Sequence, residues 1–296
     1  MKILVTGGAG FVGTNLIKRL VTNGHEVVSL DDYSTGTEDN HVNGCHYVEG
    51  RIEHINFYFG INPSFDLVYH LAGLSRIQPS FENPSETFNV NTMGTQRVLE
   101  FARKNDLKVI YAGSSSKHHD PYQSPYAACK YLGEELCKLY KKTYNMNIEI
   151  CRFYNVYGPH EVLEGDWAAV IGIWRRQVEE GTPITIVGDG EQKRDFTHVY
   201  DIVDALLELQ SVNSGLSLLD AWELGTGINY SINEVADMFV KYGGATKTYI
   251  DDQHGNYRET LRESDEALNL LDWSPSDRLE DYIKSLYKGK QLKLDL

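Results

Sequence analysis

Short runs of apolar, often β-branched residues alternate along the chain with longer segments in which apolar residues recur every three or four positions. Five such runs cover residues 3–6, 25–30, 67–72, 108–112 and 148–151. Helical spacing covers residues 11–22, 92–104 and 126–144. Strands that alternate with helices in this way predict βαβ units, in which a parallel sheet is packed on both faces.

A glycine-rich turn lies between the first predicted strand and the first predicted helix and reads Thr-Gly-Gly-Ala-Gly-Phe-Val-Gly. Gly7, Gly10 and Gly13 allow a tight turn, a close approach of the backbone to a pyrophosphate, and close packing of the helix on the strand. The start of the helix then offers N–H groups to phosphates. This pattern predicts a dinucleotide site; the alternative is an ordinary glycine turn.

Asp31 ends the second predicted strand, 18 residues after Gly13. An acid at this position can accept hydrogen bonds from the hydroxyls of a ribose, and it repels the 2′-phosphate of NADP. NAD is therefore the expected cofactor; the alternative is a surface acid. These features predict a Rossmann-type, doubly wound α/β domain over residues 1–155, completed by about 195–227. A smaller α/β domain for the substrate is expected from residues 156–194 and 228–296.

The charge balance excludes several partners. The 28 lysines and arginines against 42 aspartates and glutamates give a net charge of −14, which disfavours generic binding to nucleic acid.

The longest uncharged apolar stretch, near residues 167–174, is much shorter than a membrane span. Four cysteines without metal-ligand spacing predict reduced thiols and no metal site. No signal peptide precedes the first strand, so we expect a cytoplasmic protein without membrane partners.

Tyr126 and Lys130 lie four residues apart at the start of a predicted helix and therefore share one face. Such a tyrosine can move a proton to or from a substrate hydroxyl, and the ammonium is expected to lower its pKa from about 10 towards neutrality. Three serines at 114–116 follow a predicted strand, at the edge where parallel sheets gather ligands. One of them is expected to meet the tyrosine. The alternative is a chance pair on an amphipathic helix.

Further motifs occur in the order TGGAGFVG, LDD, HLAG, NVNTMGT, SPYAACK, RFYNVYGPH, VGDGEQKRDFTHVYDIV and ELGTG, over nearly the whole chain. Together they resemble the extended short-chain dehydrogenase/reductases and, within these, the NAD-dependent sugar-nucleotide epimerase/dehydratase family. The resemblance implies NAD on the N-terminal domain and a nucleoside-diphosphate sugar, with UDP favoured, on the C-terminal domain. It also implies a catalytic triad of Ser114, Tyr126 and Lys130, with Ser115 in place of Ser114 if the strand is shifted by one residue.

The resemblance further implies two sets of binding residues. The NAD positions are Gly7, Gly10, Phe11, Val12, Gly13, Asp31, Asp32, Ser34, Gly36, Arg51, Ile52, Leu71, Ala72, Gly73, Asn91, Tyr126 and Lys130. The substrate positions are Ser75, Ser114, Ser115, Asn155, Val170, Thr185, Val187, Arg194 and Arg258. Asn155 and Arg194 are expected to bind the diphosphate, because a guanidinium fork suits that group. The alternative for Arg194 is a surface salt bridge.

The serines at 114–116 distinguish among the reactions of the family. Dehydratases usually carry Thr-Asp-Glu at this place, whereas this chain has no carboxylate there. The resemblance is instead to UDP-galactose-type 4-epimerases, in which a 4-keto sugar forms and is reduced on its opposite face. A UDP-hexose or UDP-N-acetylhexosamine is the expected substrate, since Thr260 leaves room for an N-acetyl group. The alternatives are a decarboxylase, a dehydratase, a GDP- or CDP-sugar epimerase, or a silent NAD-binding protein.

Three positions depart from the pattern of the family. Arg51 occupies the place of an acid that helps to hold adenine, and we expect its guanidinium to stack on the base. The Lys-His-His that follows the serines replaces the usual Val-Tyr-Gly, and His118 and His119 are expected to be surface loop residues rather than metal ligands. Gln253 falls where a second diphosphate arginine is usual, so Arg258 is expected to substitute for it.

The resemblance also implies a homodimer, because relatives often associate through the two long helices at 92–104 and 126–144. Apolar residues on these helices would form the contact patch: Val98, Tyr131, Leu132, Leu136, Leu139 and Tyr140. The alternative is that the same residues pack on the sheet.

Overall fold

The computed structural model describes residues 1–61, 63–212 and 220–288. Its strands are β1 (Lys2–Thr6), β2 (Glu26–Asp31), β3 (Cys45–Glu49), β4 (Leu67–His70), β5 (Lys108–Ser114), β6 (Ile148–Phe153), β7 (Val156–Tyr157), β8 (Ile184–Val187), β9 (Lys193–Asp195), β10 (Thr197–His198), β11 (Trp222–Leu224), β12 (Asn229–Ser231) and β13 (Lys247–Ile250). Its helices are α1 (Phe11–Thr22), α2 (Ile55–Phe59), α3 (Ile77–Glu82), α4 (Pro84–Phe88), α5 (Thr95–Lys104), α6 (Pro125–Tyr144), α7 (Val170–Glu180), α8 (Val199–Glu208), α9 (Ile232–Gly243), α10 (Glu266–Leu270) and α11 (Leu279–Leu286). Residues 289–296 of the expected second domain lie outside the described part.

Seven strands form one sheet in the order β11-β6-β5-β4-β1-β2-β3. All neighbouring strands run parallel. The order reverses at β1, which pairs with β2 on one side and with β4 on the other, and such a reversal leaves a crevice at the carboxyl edge of the sheet. This is a Rossmann-type doubly wound sheet, so the predicted fold class is confirmed.

The predicted elements agree with the observed ones except at a few ends. All five apolar runs are strands, and β5 continues beyond its apolar run to Ser114. Helix α1 spans the predicted residues 11–22. Helix α5 begins three residues later than predicted, at Thr95, because Asn89–Gly94 form a wider π-helical turn.

Alternate residues of the strands enter separate cores on the two faces of the sheet. Leu4 lies in the core that receives side chains of α5 and α6, whereas Val5 lies in the core that receives those of α1 and α8. Val98 of α5 and Tyr140 of α6 are buried in the first of these cores. Their expected place in a dimer patch is therefore wrong, because they pack on the sheet.

Helices α7, α9 and α11 pack with strand β8 in a smaller α/β unit with its own core. That core contains Trp174 of α7, Ile184 and Ile186 of β8, Phe239 of α9 and Ile283 of α11. Strand β8 pairs in parallel with β13. Within the residues described, no helix has the length and apolar character needed to cross a membrane.

A cluster of charged side chains is buried beside the β6 strand. Arg152 of β6 donates from Nη2 to Glu134 Oε2 of α6 and from Nη1 to Glu223 Oε1 of β11, at 2.8 Å in both cases. The side chains of Arg152, Glu134 and Glu223 are 6%, 0% and 4% exposed. Burial alone would lower the pKa of Arg152, but its hydrogen bonds to the carboxylates more than offset this effect and raise it. Both buried carboxylates therefore have a positive partner in Arg152.

Replacing Arg152 by Met is expected to lower the free energy of unfolding by about 3–5 kcal/mol, because it leaves the buried carboxylate of Glu134 without its ion-pair partner. Urea denaturation measures the change. Arg103→Met is the matched control, since Arg103 pairs with Glu100 at the surface, where solvent screens the pair and its loss changes stability little. Equal losses in the two variants would contradict this role for the buried cluster.

Glu161 follows β7 and connects the segment after that strand to helix α11. The hydroxyl of Tyr282, in α11, donates to Glu161 Oε1 at 3.0 Å. Its second oxygen, Oε2, is buried and has no hydrogen bond within the described residues. Burial raises the pKa of this carboxyl group from 4.5 to about 7. The protonated form is thus favoured by the folded chain.

Substituting Glu161 by Gln is expected to raise the free energy of unfolding more at pH 8 than at pH 5, by about 2–3 kcal/mol. The folded pKa lies above the unfolded one, so the ionisation penalty is absent well below pH 4.5 and is complete above about pH 7. Urea denaturation at both pH values measures it. Glu180→Gln, at a half-exposed site, controls for the loss of one charge. An effect of E161Q that is equal at both pH values would contradict the burial penalty.

Candidate active site

The glycine turn after β1 approaches the chain that follows β4 too closely for any side chain. Gly7 has a φ of +73°, and a Cβ atom there would lie 2.7 Å from the backbone nitrogen of Ala72. A Cβ atom on Gly13 would lie 2.1 Å from the carbonyl oxygen of Gly7. Gly10 caps α1 without a side-chain hydrogen bond, which leaves the first N–H groups of the helix to a ligand. This cradle fits the pyrophosphate of NAD.

A cavity of about 730 Å³ runs from this turn along the carboxyl edge of the sheet into the smaller unit. The predicted NAD residues that line it are Gly7, Gly10, Phe11, Val12, Gly13, Asp31, Asp32, Ser34, Ile52, Leu71, Ala72, Gly73, Tyr126 and Lys130. The predicted substrate residues that line it are Ser75, Ser114, Ser115, Asn155, Val170, Thr185, Val187 and Arg194. Four predicted residues lie outside this lining: Gly36, Arg51, Asn91 and Arg258.

Asp31 joins the end of β2 to the glycine turn. Its carboxylate accepts hydrogen bonds from the backbone N–H groups of Ala9 and Tyr33, both at 2.9 Å. The neighbouring Asp32 accepts from the N–H and the hydroxyl of Ser34 at 3.0 and 2.6 Å. Burial raises the pKa of Asp31. The acid therefore faces the cavity from a fixed position, where a ribose is expected.

Two predicted arginines are held away from the cavity by carboxylates. Arg51 donates from Nη2 to Glu53 at 2.7 Å and to Glu86 at 2.5 Å. These bonds lie in the plane of the guanidinium, so its stacking on adenine stays a prediction. Glu53 itself lines the cavity. The side chain of Arg258 is 68% exposed and pairs with Asp189 at 2.9 Å, and its contact with the diphosphate also stays a prediction.

Gly36 and Asn91 lie behind the wall of the cavity, and the resemblance already implied a supporting role for the Asn91 side chain. A Cβ atom on Gly36 would lie 2.8 Å from the backbone of Ala9, so the absence of a side chain lets this loop pack on the glycine turn. The Asn91 side chain accepts from the N–H of Leu74 at 2.7 Å and donates to its carbonyl oxygen at 2.8 Å. It thereby fixes the segment that follows β4.

The predicted triad meets at the end of β5. Tyr126, at the start of α6, donates from its hydroxyl to Ser114 Oγ at 3.2 Å, whereas no such bond joins it to the alternative, Ser115. Ser114 Oγ also accepts from the N–H of Ser116 at 3.2 Å. Lys130 Nζ donates to the carbonyl oxygen of Ala112 at 2.9 Å. The three side chains thus share one wall of the cavity.

Burial governs the acidity of this group. It raises the pKa of Tyr126, against the opposing effects of the hydrogen bond to Ser114 and the charge of Arg76. Burial also lowers the pKa of Lys130 to about 8. The expectation that Lys130 brings the pKa of the tyrosine towards neutrality is therefore wrong for the protein alone, because the loss of solvation outweighs nearby charge.

Arg194 is buried at the substrate end of the cavity without a carboxylate within 4 Å in the part of the chain that the structure describes. It donates to the carbonyl oxygen of Lys193 and to Asn256 Oδ1, both at 2.8 Å. Burial lowers its pKa to about 10. Asn155 donates to Thr260 Oγ1 nearby, at 2.9 Å. The salt-bridge alternative for Arg194 is therefore not observed, and its charge is available to an anionic ligand.

The two histidines after the serines are half-buried. His118 contacts Glu223 at 2.8 Å and Glu263 at 3.1 Å. His119 stacks on Tyr257, with ring centroids 3.9 Å apart and planes at 10°. Tyr257 lines the cavity, so this stack supports its wall. The expectation of surface loop residues therefore holds only in part, and the described residues contain no cluster of three or more potential metal ligands.

Sequence reasoning missed five charged residues that line the cavity: Glu53, Arg76, Glu82, Glu161 and Asp166. Arg76 follows β4, at the carboxyl edge where ligands gather in this fold, and that position could have drawn attention to it. Its side-chain partners are carbonyl groups of residues 167 and 168, about ninety positions away. No local spacing in the sequence indicates that contact.

Three comparisons with known proteins agree with this site. A sequence model described as NAD dependent epimerase/dehydratase family matches residues 3–217. The chain is 29% identical to a UDP-glucose 4-epimerase of Mycolicibacterium smegmatis, with 96% of each chain covered. It is 28% identical to UDP-glucuronic acid decarboxylase 1 of Xenopus tropicalis, with 99% of this chain and 73% of that protein covered.

A solved structure extends the likeness to the fold. It is a tyrosine-to-phenylalanine mutant of a UDP-glucuronic acid 4-epimerase from Bacillus cereus, in complex with UDP-4-deoxy-4-fluoro-glucuronic acid and NAD. The TM-score is 0.86 at 28% identity, and 99% of this chain and 100% of that chain are covered. With the family match over more than half of its length, the glycine cradle and the tyrosine that lines the cavity, the chain is an NAD-dependent enzyme that belongs to the NAD dependent epimerase/dehydratase family.

Proposed function

We propose that the chain catalyses the 4-epimerisation of a UDP-linked hexopyranose, with UDP-hexoses and UDP-N-acetylhexosamines as the substrates expected from the sequence. The observation that supports this most directly is the 3.2 Å hydrogen bond from the Tyr126 hydroxyl to Ser114 Oγ. The strand end that carries it has three serines and no carboxylate. A proton carrier beside a neutral hydroxyl suits the removal and return of a proton. It lacks the adjacent acid that eliminates water in dehydratases.

Each member of the triad has a separate role in this proposal. Tyr126 takes the proton of the 4-hydroxyl and later returns it, while Ser114 orients that hydroxyl by a hydrogen bond. Lys130 lies one helical turn from Tyr126, and its ammonium form favours the phenolate. NAD, when bound, supplies a reversible acceptor for the hydride of the sugar carbon.

The diphosphate is assigned to the part of the cavity that Arg194 and Asn155 line. Arg194 has no carboxylate partner among the described residues, and its fork of N–H groups suits a phosphate. Asn155 is held close by through its bonds to Asp195 and Thr260, both at 2.9 Å. The names of the relatives, which act on UDP-glucose or UDP-glucuronic acid, support UDP as the nucleotide.

Replacing Tyr126 by Phe is expected to lower kcat by about 100-fold or more, because the proton of the sugar hydroxyl loses its carrier. The assay incubates the protein with UDP-glucose, UDP-N-acetylglucosamine and UDP-glucuronic acid in turn and separates the 4-epimers by chromatography. Tyr131→Phe is the matched control, since Tyr131 lies on the same helix and packs under Lys117 at 3.6 Å from the ring centroid.

The mass of the product separates epimerisation from the alternatives. An epimer has the mass of its substrate, whereas decarboxylation or dehydration gives a lighter product. A lighter product would show that the chain catalyses decarboxylation or dehydration instead of the proposed epimerisation. Wild type that converts none of the UDP-sugars, or that equals Y126F, would overturn it.

A further inference from the structure

One cation of the cavity has no role in the reaction described above. Arg76 lies after β4 and lines the cavity together with Tyr126. Its Nε donates to the carbonyl oxygens of Trp167 at 3.0 Å and Ala168 at 3.3 Å, and its Nη1 donates to that of Ser75 at 3.0 Å. These bonds fix the plane of the guanidinium without neutralising it.

Arg76 is a charge without a counter-charge. In the described ranges, no Asp or Glu oxygen lies within 4 Å of its guanidinium, and Nη2 makes no hydrogen bond. A guanidinium has five N–H groups, so three of them remain for a ligand. Burial lowers the pKa of Arg76, which reflects the cost of holding a charge away from water. An anion that enters the cavity would remove much of that cost.

The position of Arg76 indicates which part of the substrate carries the anion. Arg76 caps the start of α3, and Ser80 of α3 accepts a hydrogen bond from the backbone N–H of Tyr126 at 3.1 Å. The charge of Arg76 also acts on the pKa of the phenol. Arg194 instead contacts Lys193 and Asn256. The cavity is thus lined by two separate cations, and Arg76 is the one on the element packed against Tyr126.

Glu161, which lines the same cavity, is the carboxyl group whose charge raises the pKa of Arg76. It lies beyond ion-pair distance of the guanidinium. Its carboxyl group holds a proton more strongly than usual, with a pKa of about 7. Near neutral pH it therefore opposes a second anion only in part, and it leaves Arg76 free to bind one.

We propose that Arg76 binds a carboxylate carried by the sugar ring, so that the preferred substrate is a UDP-hexuronic acid rather than a neutral UDP-hexose. The inference rests on the proposed function and narrows it. Hydroxyls of a neutral hexose would leave the guanidinium uncompensated. A carboxylate at C6 supplies two acceptor oxygens and a full negative charge, which the free N–H groups of a fixed guanidinium fork can pair with geometrically.

Titration calorimetry on the protein with its NAD tests this inference with UDP, UDP-glucose and UDP-glucuronic acid. Wild type is expected to bind UDP-glucuronic acid about 10- to 100-fold more tightly than UDP-glucose, the range of a charge-assisted hydrogen bond. Arg76→Gln is expected to abolish this preference and to leave the affinity for UDP unchanged. Arg19→Gln is the matched control, since Arg19 pairs with Asp204 at the surface.

Three results would overturn the inference. The first is that wild type binds UDP-glucose and UDP-glucuronic acid equally well. The second is that R76Q weakens the binding of UDP as much as that of UDP-glucuronic acid, which would assign Arg76 to the diphosphate. The third is that R76Q weakens the binding of both UDP-sugars equally, which would make Arg76 a structural support for residues 167–168. If R76Q does not fold, Arg76→Lys keeps the charge and is expected to retain part of the preference, and its loss of UDP binding would count against the inference.

The failure of this inference and of the proposed function are separate outcomes. An enzyme that epimerises UDP-sugars without preferring the carboxylate overturns only the role of Arg76. A protein that prefers UDP-glucuronic acid but forms no 4-epimer of any UDP-sugar overturns only the proposed reaction.

Discussion

The close contact between Gly7 and Ala72 is the constraint on which the rest of the site depends. Strand β1 is flanked by β2 and β4, and the turns after β1 and β4 meet at the carboxyl edge with no room for a side chain. This contact aims the start of α1 at the crevice and brings the segment after β4 to its rim. Asp31 and Asn91 then fix the two sides of that contact through backbone hydrogen bonds.

The arginines inside the protein fall into two groups, according to whether their hydrogen-bond partners are carboxylates or uncharged groups. Arg152 is enclosed by Glu134, Glu223 and Asp220 and needs nothing further. Arg76 and Arg194 are oriented by uncharged groups alone. A protein with a net charge of −14 has many carboxylates to offer, yet these two cations lie among carbonyl and amide oxygens. The local arrangement of charge therefore decides which anions bind.

The local pattern of the sequence was sufficient to predict the sheet, helix α1 and the proximity of Ser114, Tyr126 and Lys130. These features follow from short periodicities and from the rule that parallel strands end at one edge. It was not sufficient to predict the hydrogen-bond partners of Arg51, one of which, Glu86, lies 35 residues away, or those of Arg76. The acidity of Tyr126 also escaped it, because the extent of burial depends on the packing of the whole fold. Spacing shows which residues share a face, but distant contacts decide what each side chain pairs with.

The edge strand β11 has a consequence for how this chain can be divided. It comes from residues 222–224, after the chain has already built α7, β8 and β9 of the smaller unit, and it returns to pair with β6. A fragment that stops at residue 155 would leave the edge of β6 open and would take Glu223 away from Arg152. The two units are therefore interleaved, and the dinucleotide half is not a detachable module that could be cut out or fused to another protein by itself.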